Sequence, residues 1–306
     1  MMTGSLATLR RRSPLAWVAR QAFLRLNGLG AARTAPMPAG ASERAYERLL
    51  RPGGTSVVLA HDFGRGRAAR LARWRAAAQL IGAAGVETPE VLAAWPTLGL
   101  SLQTDLGDQR VGVEGIDAAL AALVKVQQIA VDHVRAHVSR EVLDDGYFAR
   151  RIARARERIE RAVAAGEPAI DREMLDVDHG KALEALGRAS AVAVHSDFQS
   201  ENILWRCGAG ALVDCQDLRA GPPHWDVASL AVDPQLGLDA AKRARLLRRY
   251  VETSPAGYWL EARDAMAELE AVCAYRTVDV YGTFLALGGR YRRWLPRLSE
   301  TRRELA

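Results

Sequence analysis

Between residues 14 and 26, apolar side chains recur at helical spacing (Leu15, Trp17, Val18, Phe23, Leu24 and Leu26), which predicts a helix laid against the rest of the chain. The period then shortens. TAPMPAGASERAYERLL opens on a Pro/Gly turn and closes on Tyr46, Leu49 and Leu50, RPGG turns tightly, and TSVVLAHDF returns, so two short strands form a hairpin. Residues 67 to 84 read as an arginine- and alanine-rich helix ending near Gly85. VETPEVLAAW and LGLSLQTDLGD supply two more strands, their register confined by Pro89 and Pro96. After Gly107 the helical period takes over, across 113–136, 144–163, 178–190, 236–253, 257–288 with a break inside it, and 290–305. One strand pair interrupts, AVAVHSDF and ENILWRCGAGALVDCQDL. The order predicts an α+β chain of two lobes, residues 1–104 small and β-rich and residues 105–306 mainly helical. LQTDLGD connects them beside a cleft, where ligands tend to bind.

Composition narrows the partners. The chain of 306 residues carries a formal charge of +6, but residues 1–42 hold six arginines (Arg10, Arg11, Arg12, Arg20, Arg25, Arg33) and no acid, and the remainder is near neutral. Lysine is scarce, only Lys125, Lys181 and Lys242, and no basic stripe interleaved with aromatics argues for nucleic acid. An arginine-rich, acid-free start also resembles a transit peptide, yet its helical period is read more simply as packing. Cys207, Cys215 and Cys273 have neither disulfide nor metal-site spacing, so a reduced, cytoplasmic protein is expected. No apolar run reaches the twenty or so residues of a membrane span.

The chemistry concentrates at the ends of two short apolar runs. His195-Ser196-Asp197 follows AVAV, Asn202 stands five residues after Asp197, and Asp214 closes the run ALVD. A hairpin over ILWRCGAGALVD would bring Asp214 beside Asn202. Two hard oxygen donors there suit Mg²⁺, which keeps waters and nucleotide phosphates as its other ligands. Asp197 is then free to accept a proton from an attacking hydroxyl, an arrangement that matches phosphoryl transfer. Each residue alone has an ordinary reading as a cap or a solvated acid; the ordered set H-x-D-x-x-x-x-N with a following Asp is what argues for a nucleotide site.

HSDFQSENILW with LVDCQDLRAGPPHWDVASL resembles the catalytic and metal-binding loops of the aminoglycoside phosphotransferase and choline kinase superfamily, whose fold is similar to that of protein kinases. Within it, AGASERAYERL, SLQTDLGD and YRTVDVYGTFLALGGRYRRWLPRL are most similar to cell-wall kinases that phosphorylate N-acetylmuramate and N-acetylglucosamine at the anomeric hydroxyl. The resemblance implies ATP and Mg²⁺, Asp197 as catalytic base, His195 bracing its loop, Asn202 and Asp214 as metal ligands, Asp217 in support near metal or substrate, and Asp226 as a buried acid beneath the catalytic loop. Gln103 and Asp105 in the connector are expected at the nucleotide, together with Asn202.

Departures qualify this expectation. Superfamily kinases commonly grip phosphate with a small-lobe lysine, and here the strand carries Ala60 and His61 in that neighbourhood. Arg44, Arg48, Arg65 and Arg67 are the cations at hand, Arg44 the favoured one, because an arginine fork pairs bidentately with phosphate. Glu201 stands where relatives often have arginine, which would disfavour an anionic acceptor; Gln103-Thr104 replaces a more usual Leu-Glu pair. The preferred acceptor is an amino sugar. A choline-like kinase would want an aromatic cage, for which Trp225, Tyr275, Tyr281 and Tyr291 are candidates. An aminoglycoside kinase would want acids, for which Glu141, Asp144 and Asp145 are. A non-catalytic nucleotide-binding scaffold is the third reading. The chain is expected to be a monomer or weak dimer.

Overall fold

The computed structural model describes residues 14–37, 44–255 and 264–305. Helix α1 (Pro14–Leu26) precedes strands β1 (Arg33–Pro36), β2 (Arg44–Leu50) and β3 (Ser56–Asp62), then helix α2 (Arg67–Ala83) and strands β4 (Val91–Trp95) and β5 (Leu100–Thr104). The five strands form one antiparallel sheet in the order β1-β2-β3-β5-β4. β1, formed by RTAP, carries too little apolar pattern to be read as a strand; pairing with β2 holds it.

Alternation divides this sheet into two unlike faces. Leu49, Val57, Leu59, Leu100 and Leu102 point outward, where Phe23, Leu24 and Leu29 of the α1 region cover them. Arg44, Tyr46, Ala60, Asp62, Ser101 and Gln103 point inward around a cavity of ≈ 30 Å³ that α2 closes with Arg67, Arg70, Leu71 and Trp74. Gly99, at φ 70°, must be glycine: a Cβ there would lie 2.1 Å from the Asp62 carbonyl oxygen. The helix α1 does lie on the domain, but Leu15, Val18 and Leu26 turn away from it into solvent. Apolar period alone does not say which side of a terminal helix is covered.

The large lobe holds α3 (Ile116–Gln127), α4 (Val131–His137), α5 (Asp145–Ala164), α6 (Gly180–Arg188), α7 (His224–Ala231), α8 (Ala240–Thr253), α9 (Ala265–Leu287) and α10 (Leu295–Leu305). The helix predicted over 113–136 is interrupted between α3 and α4. There the Gln127 side chain donates to Pro223 O at 3.0 Å and accepts from Tyr250 Oη at 2.7 Å, a tertiary anchor the local pattern does not contain. The break predicted within 257–288 is not seen in α9, and residues 256–263 lie outside the described residues. At Gly282 a Cβ would stand 2.7 Å from Ala155 Cα, so this glycine lets α9 cross α5 closely. No helix among the described residues is long and apolar enough to cross a membrane.

Between α6 and α7 lie four short strands: β6 (Val192–Val194), β7 (Ile203–Arg206), β8 (Ala209–Leu212) and β9 (Arg219–Gly221). β7 and β8 form the expected hairpin, Ile203 opposite Leu212. The pair expected between AVAVHSDF and ENILWRCGAGALVDCQDL does not form: β6 pairs with β9, whose residues Arg219–Gly221 follow that segment. The architecture is thus a protein-kinase-like bilobal α+β fold, as the motif order predicts.

Candidate active site

The catalytic loop leaves β6 at His195, whose side chain is fully buried. Its Nε2 lies 3.2 Å from Val213 O, tying it to the strand end that presents Asp214. Asp226, at the first turn of α7 and fully buried, accepts from the backbone N–H of His195 at 2.6 Å and of Ser196 at 2.9 Å. Burial raises the Asp226 carboxyl to about 6, even though these two bonds, His195 and Arg276 pull the other way. Ser196 is held at φ 72°, a conformation costly for any residue but glycine, and this turn aims Asp197 out of the loop. Asp233 anchors the far side, accepting from Ser200 N at 2.7 Å.

Asp197 accepts from Gln199 Nε2 at 2.7 Å and from Asn202 Nδ2 at 2.8 Å. Burial, and then the nearby Asp214 carboxylate, hold its carboxyl above the usual range. Because the Asn202 amide nitrogen serves Asp197, the Asn202 side-chain oxygen is turned to other use. Val213 N donates to Asn202 O at 3.0 Å, which keeps Asp214 next to Asn202. Asp214 itself has φ 62°, the second loop residue held in the left-handed region.

From the small lobe, Arg44 reaches across the cleft, its Nη2 2.9 Å from Asp214 Oδ1 and its Nη1 3.1 Å from Gln216 Oε1. Burial alone would make this guanidinium easier to deprotonate; Tyr46, Asp214, Asp62 and Asp217 outweigh it and fix the charge. Ala60 stands on the same inner face, so Arg44 brings its charge from β2 to a wall whose β3 position has none. The other arginines go elsewhere. Arg48 bonds Asp105 at 2.5 Å and also pairs with Asp108, Arg67 donates to Thr97 O at 2.7 Å, and Arg65 is exposed.

The connector residues are likewise occupied. Asp105 also accepts from Ser56 Oγ at 2.6 Å and Gly107 N at 2.9 Å, so its carboxylate braces the connector. Gln103 is buried on the inner sheet face with Nε2 3.2 Å from Ser101 Oγ. Asp217 turns to Arg219 at 3.1 Å and Gln216 at 3.3 Å.

A second charged cluster, unpredicted from sequence, lies beside the catalytic loop. Asp279, 2% exposed, accepts both oxygens' bonds from Arg151 Nε at 2.7 and 2.8 Å and also pairs with Arg276. Both guanidinium groups lie over the Trp225 ring, 4.5 Å away for Arg276 and 5.4 Å for Arg151. Arg276 acts electrostatically on Asp197 and Asp226, opposing in part the burial that raises both carboxyls. The sequence signal was an arginine and an aspartate three apart in the otherwise apolar YRTVDVY, since buried charges need partners. Trp225, Tyr275 and Tyr281 are fully buried and take no part in an open aromatic cage. Of the acids, Glu141 pairs with Arg219 at 3.0 Å and Asp144 caps α5 through Tyr147 N at 2.7 Å. Arg110 and Arg290 lie within electrostatic reach of Glu201 and offset its charge.

Residues 33–269 match the model of the phosphotransferase enzyme family, most of the chain and all of this machinery except Arg276, Asp279 and Arg290. The chain belongs to the phosphotransferase enzyme family. Membership makes it an ATP-dependent small-molecule phosphotransferase. It is 28% identical to the N-acetylmuramate/N-acetylglucosamine kinase of Caulobacter vibrioides, over 92% of this chain and 89% of that protein. In fold it is similar to a choline/ethanolamine kinase family protein from Mesorhizobium loti (TM-score 0.65, 16% identity, 95% of each chain). It is also similar to the macrolide 2'-phosphotransferase MphH of Brachybacterium faecium (TM-score 0.62, 16% identity, 92% of this chain and 97% of that one).

Family chemistry implies a nucleotide with Mg²⁺, and the donor set fits. Asp214 and the Asn202 side-chain oxygen are hard donors on adjacent strand ends, and the partner of Asp214 here is a cation, Arg44, occupying ground that suits a metal. Among the described residues no three His, Cys, Asp or Glu side chains are grouped to hold a metal by themselves.

Proposed function

We propose that this kinase transfers the γ-phosphoryl of ATP to a hydroxyl of a neutral or anionic amino sugar, such as N-acetylglucosamine or N-acetylmuramate. The observation that carries the reading is the Arg151–Asp279–Arg276 cluster over Trp225, which leaves that ring fully buried and capped by two guanidinium groups beside the catalytic loop. A quaternary ammonium acceptor would find the Trp225 ring already covered by guanidinium and unable to cage it. The similarity to the Caulobacter enzyme supports the same acceptor class. The broader reading, an aminoglycoside or choline-like small-alcohol kinase, has wider backing, since the family match and the similar folds all fall within it. The amino sugar rests on one relative and on the cluster.

In this reading Asp197 takes the acceptor proton and orients the oxygen for in-line attack, while Asn202 fixes Asp197 and shares with Asp214 the hold on Mg²⁺. The metal, when bound, neutralises charge between the β- and γ-phosphates. Arg44 turns from Asp214 to the nucleotide phosphates, and Asp226 keeps the loop from collapsing. Direct transfer needs no covalent enzyme intermediate.

The test is transfer of labelled γ-phosphate from ATP and Mg²⁺ to a panel of N-acetylmuramate, N-acetylglucosamine, other amino sugars, choline and kanamycin, with Asp197→Asn alongside. Labelling of amino sugars that vanishes in the variant supports the proposal. Preferential labelling of choline or kanamycin overturns the acceptor and leaves the phosphotransfer reading standing.

A further inference from the structure

Helix α1 has two apolar sides, and among the described residues only one is covered. Phe23 and Leu24 seat it on the outer face of the small-lobe sheet, and Arg20 is buried beneath it in a pair with Glu47. The opposite side shows Leu15, Val18 and Leu26, 83%, 63% and 75% exposed. At the helical angle per residue these three and Ala22 fall within an arc of about 80°, a continuous outward stripe. Arg25, exposed, borders it. Three large aliphatic side chains aligned in water mark an interaction surface more than a chance exposure.

Charge identifies the occupant. Residues 1–42 contain no acid and six arginines; Arg20 is paired with Glu47, and Arg10, Arg11 and Arg12 directly precede the helix in sequence. We propose that the outward face of α1 docks on an anionic lipid surface and makes this kinase a peripheral membrane protein. The aliphatic stripe sits at the boundary of headgroups and acyl chains, while the arginines meet lipid phosphates. A second copy of the chain fits less well, because two acid-free, arginine-bearing segments would be pressed together. Nucleic acid would use the arginines and leave the aliphatic side chains in water. The helix lies on the sheet face opposite the one that carries Arg44, so a docked chain keeps its cleft open.

The experiment is co-sedimentation of the purified full chain with phosphatidylcholine vesicles, with and without phosphatidylglycerol, at low and high salt. Leu15→Gln/Val18→Gln/Leu26→Gln and Arg25→Glu are compared with the parent, with circular dichroism and chromatographic mass recorded for each. The parent is expected on anionic vesicles and not on neutral ones, with partition falling as salt rises. The triple variant should partition at least about tenfold less. Arg25→Glu, a change at an exposed position, should weaken binding at low salt and little at high salt. Absence of the parent from anionic vesicles overturns the proposal, as does equal partition of parent and triple variant. A dimer that the triple variant dissolves assigns the stripe to a second copy and overturns it too.

Discussion

The two walls of the cleft are built on opposite plans. On the large-lobe wall every reacting side chain is fixed from behind: Asp226 holds two backbone N–H groups of the catalytic loop, Asp233 a third, and Asn202 holds Asp197. On the small-lobe wall the inner strand offers Ala60, helix α2 contains no acid at all, and among the described residues the cation paired with Asp214 comes from another strand. Proton abstraction and metal binding demand oxygen atoms at hydrogen-bonding and coordination distances, so that wall tolerates little relocation. Phosphate charge is met by any cation within a few ångströms, whatever strand supplies it, so the gripping residue is free to move.

The comparison is tested most strongly at Asp197. Asp197→Asn removes the proposed proton acceptor while leaving one oxygen for Asn202 or Gln199, and kcat should fall by about 10²–10⁴-fold with the KM for ATP little changed. Single-turnover rates measure it; a loss smaller than about tenfold would sink the base assignment. Asp214→Asn, on the same wall, should cost about 10²–10³-fold and shift the Mg²⁺ titration to higher concentration. A rate loss with an unmoved Mg²⁺ dependence would detach Asp214 from the metal.

Asp226 sharpens the contrast through pH. Its carboxyl stands at about 6 in the fold against an ordinary 3.8. A raised value means the fold favours the protonated form, so its contribution to stability is full below about pH 4 and is lost as pH rises through about 6. The difference is about 3 kcal/mol at most. Activity runs the other way, because the N–H groups of His195 and Ser196 require both carboxylate oxygens. kcat should therefore drop as pH falls below about 6, while the melting temperature gains from this group over the same interval. Asp226→Asn should remove that part of the melting-temperature slope and lower kcat by about tenfold or more, its amide nitrogen opposing a backbone N–H. A variant with the parent's pH slope would show that another group sets it.

How far the sequence spoke follows the same division. The large-lobe loops were legible because chemistry ties residue type to spacing: the five-residue gap from Asp197 to Asn202 and the hairpin to Asp214 are local. What stayed hidden depends on partners far along the chain. β9 pairs with β6 across twenty-five residues, Gln127 interrupts a helix by reaching Pro223, and Arg151 meets Asp279 from another helix. Asp105 is bonded to Arg48 and Ser56, partners that its local sequence does not contain, since a connector carboxylate takes whichever donors the sheet supplies. The outward side of α1 was invisible for a simpler reason: Leu15 and Phe23 look alike until the sheet is in place.

The smallest expected effect falls on the small-lobe wall, where Arg44 is asked to do two things. With no nucleotide present it neutralises Asp214, a partly exposed pair worth about 1 kcal/mol or less. With nucleotide it is proposed to grip phosphate. Arg44→Ala should therefore move two constants in opposite directions. The KM for ATP should rise about tenfold as a charge-assisted contact is lost. The Mg²⁺ concentration needed for half-maximal rate at saturating ATP should fall by up to about fivefold, because the metal no longer displaces a guanidinium from Asp214. Arg44→Lys keeps the charge without the fork, so it should recover much of the Mg²⁺ behaviour and only part of the ATP affinity. If both constants rise together, Arg44 helps to hold the metal site and does not compete for it. If neither moves, the cation that replaces the missing lysine is elsewhere on the inner face, and Arg70, paired with Asp62 at 2.6 Å, is the next residue to change.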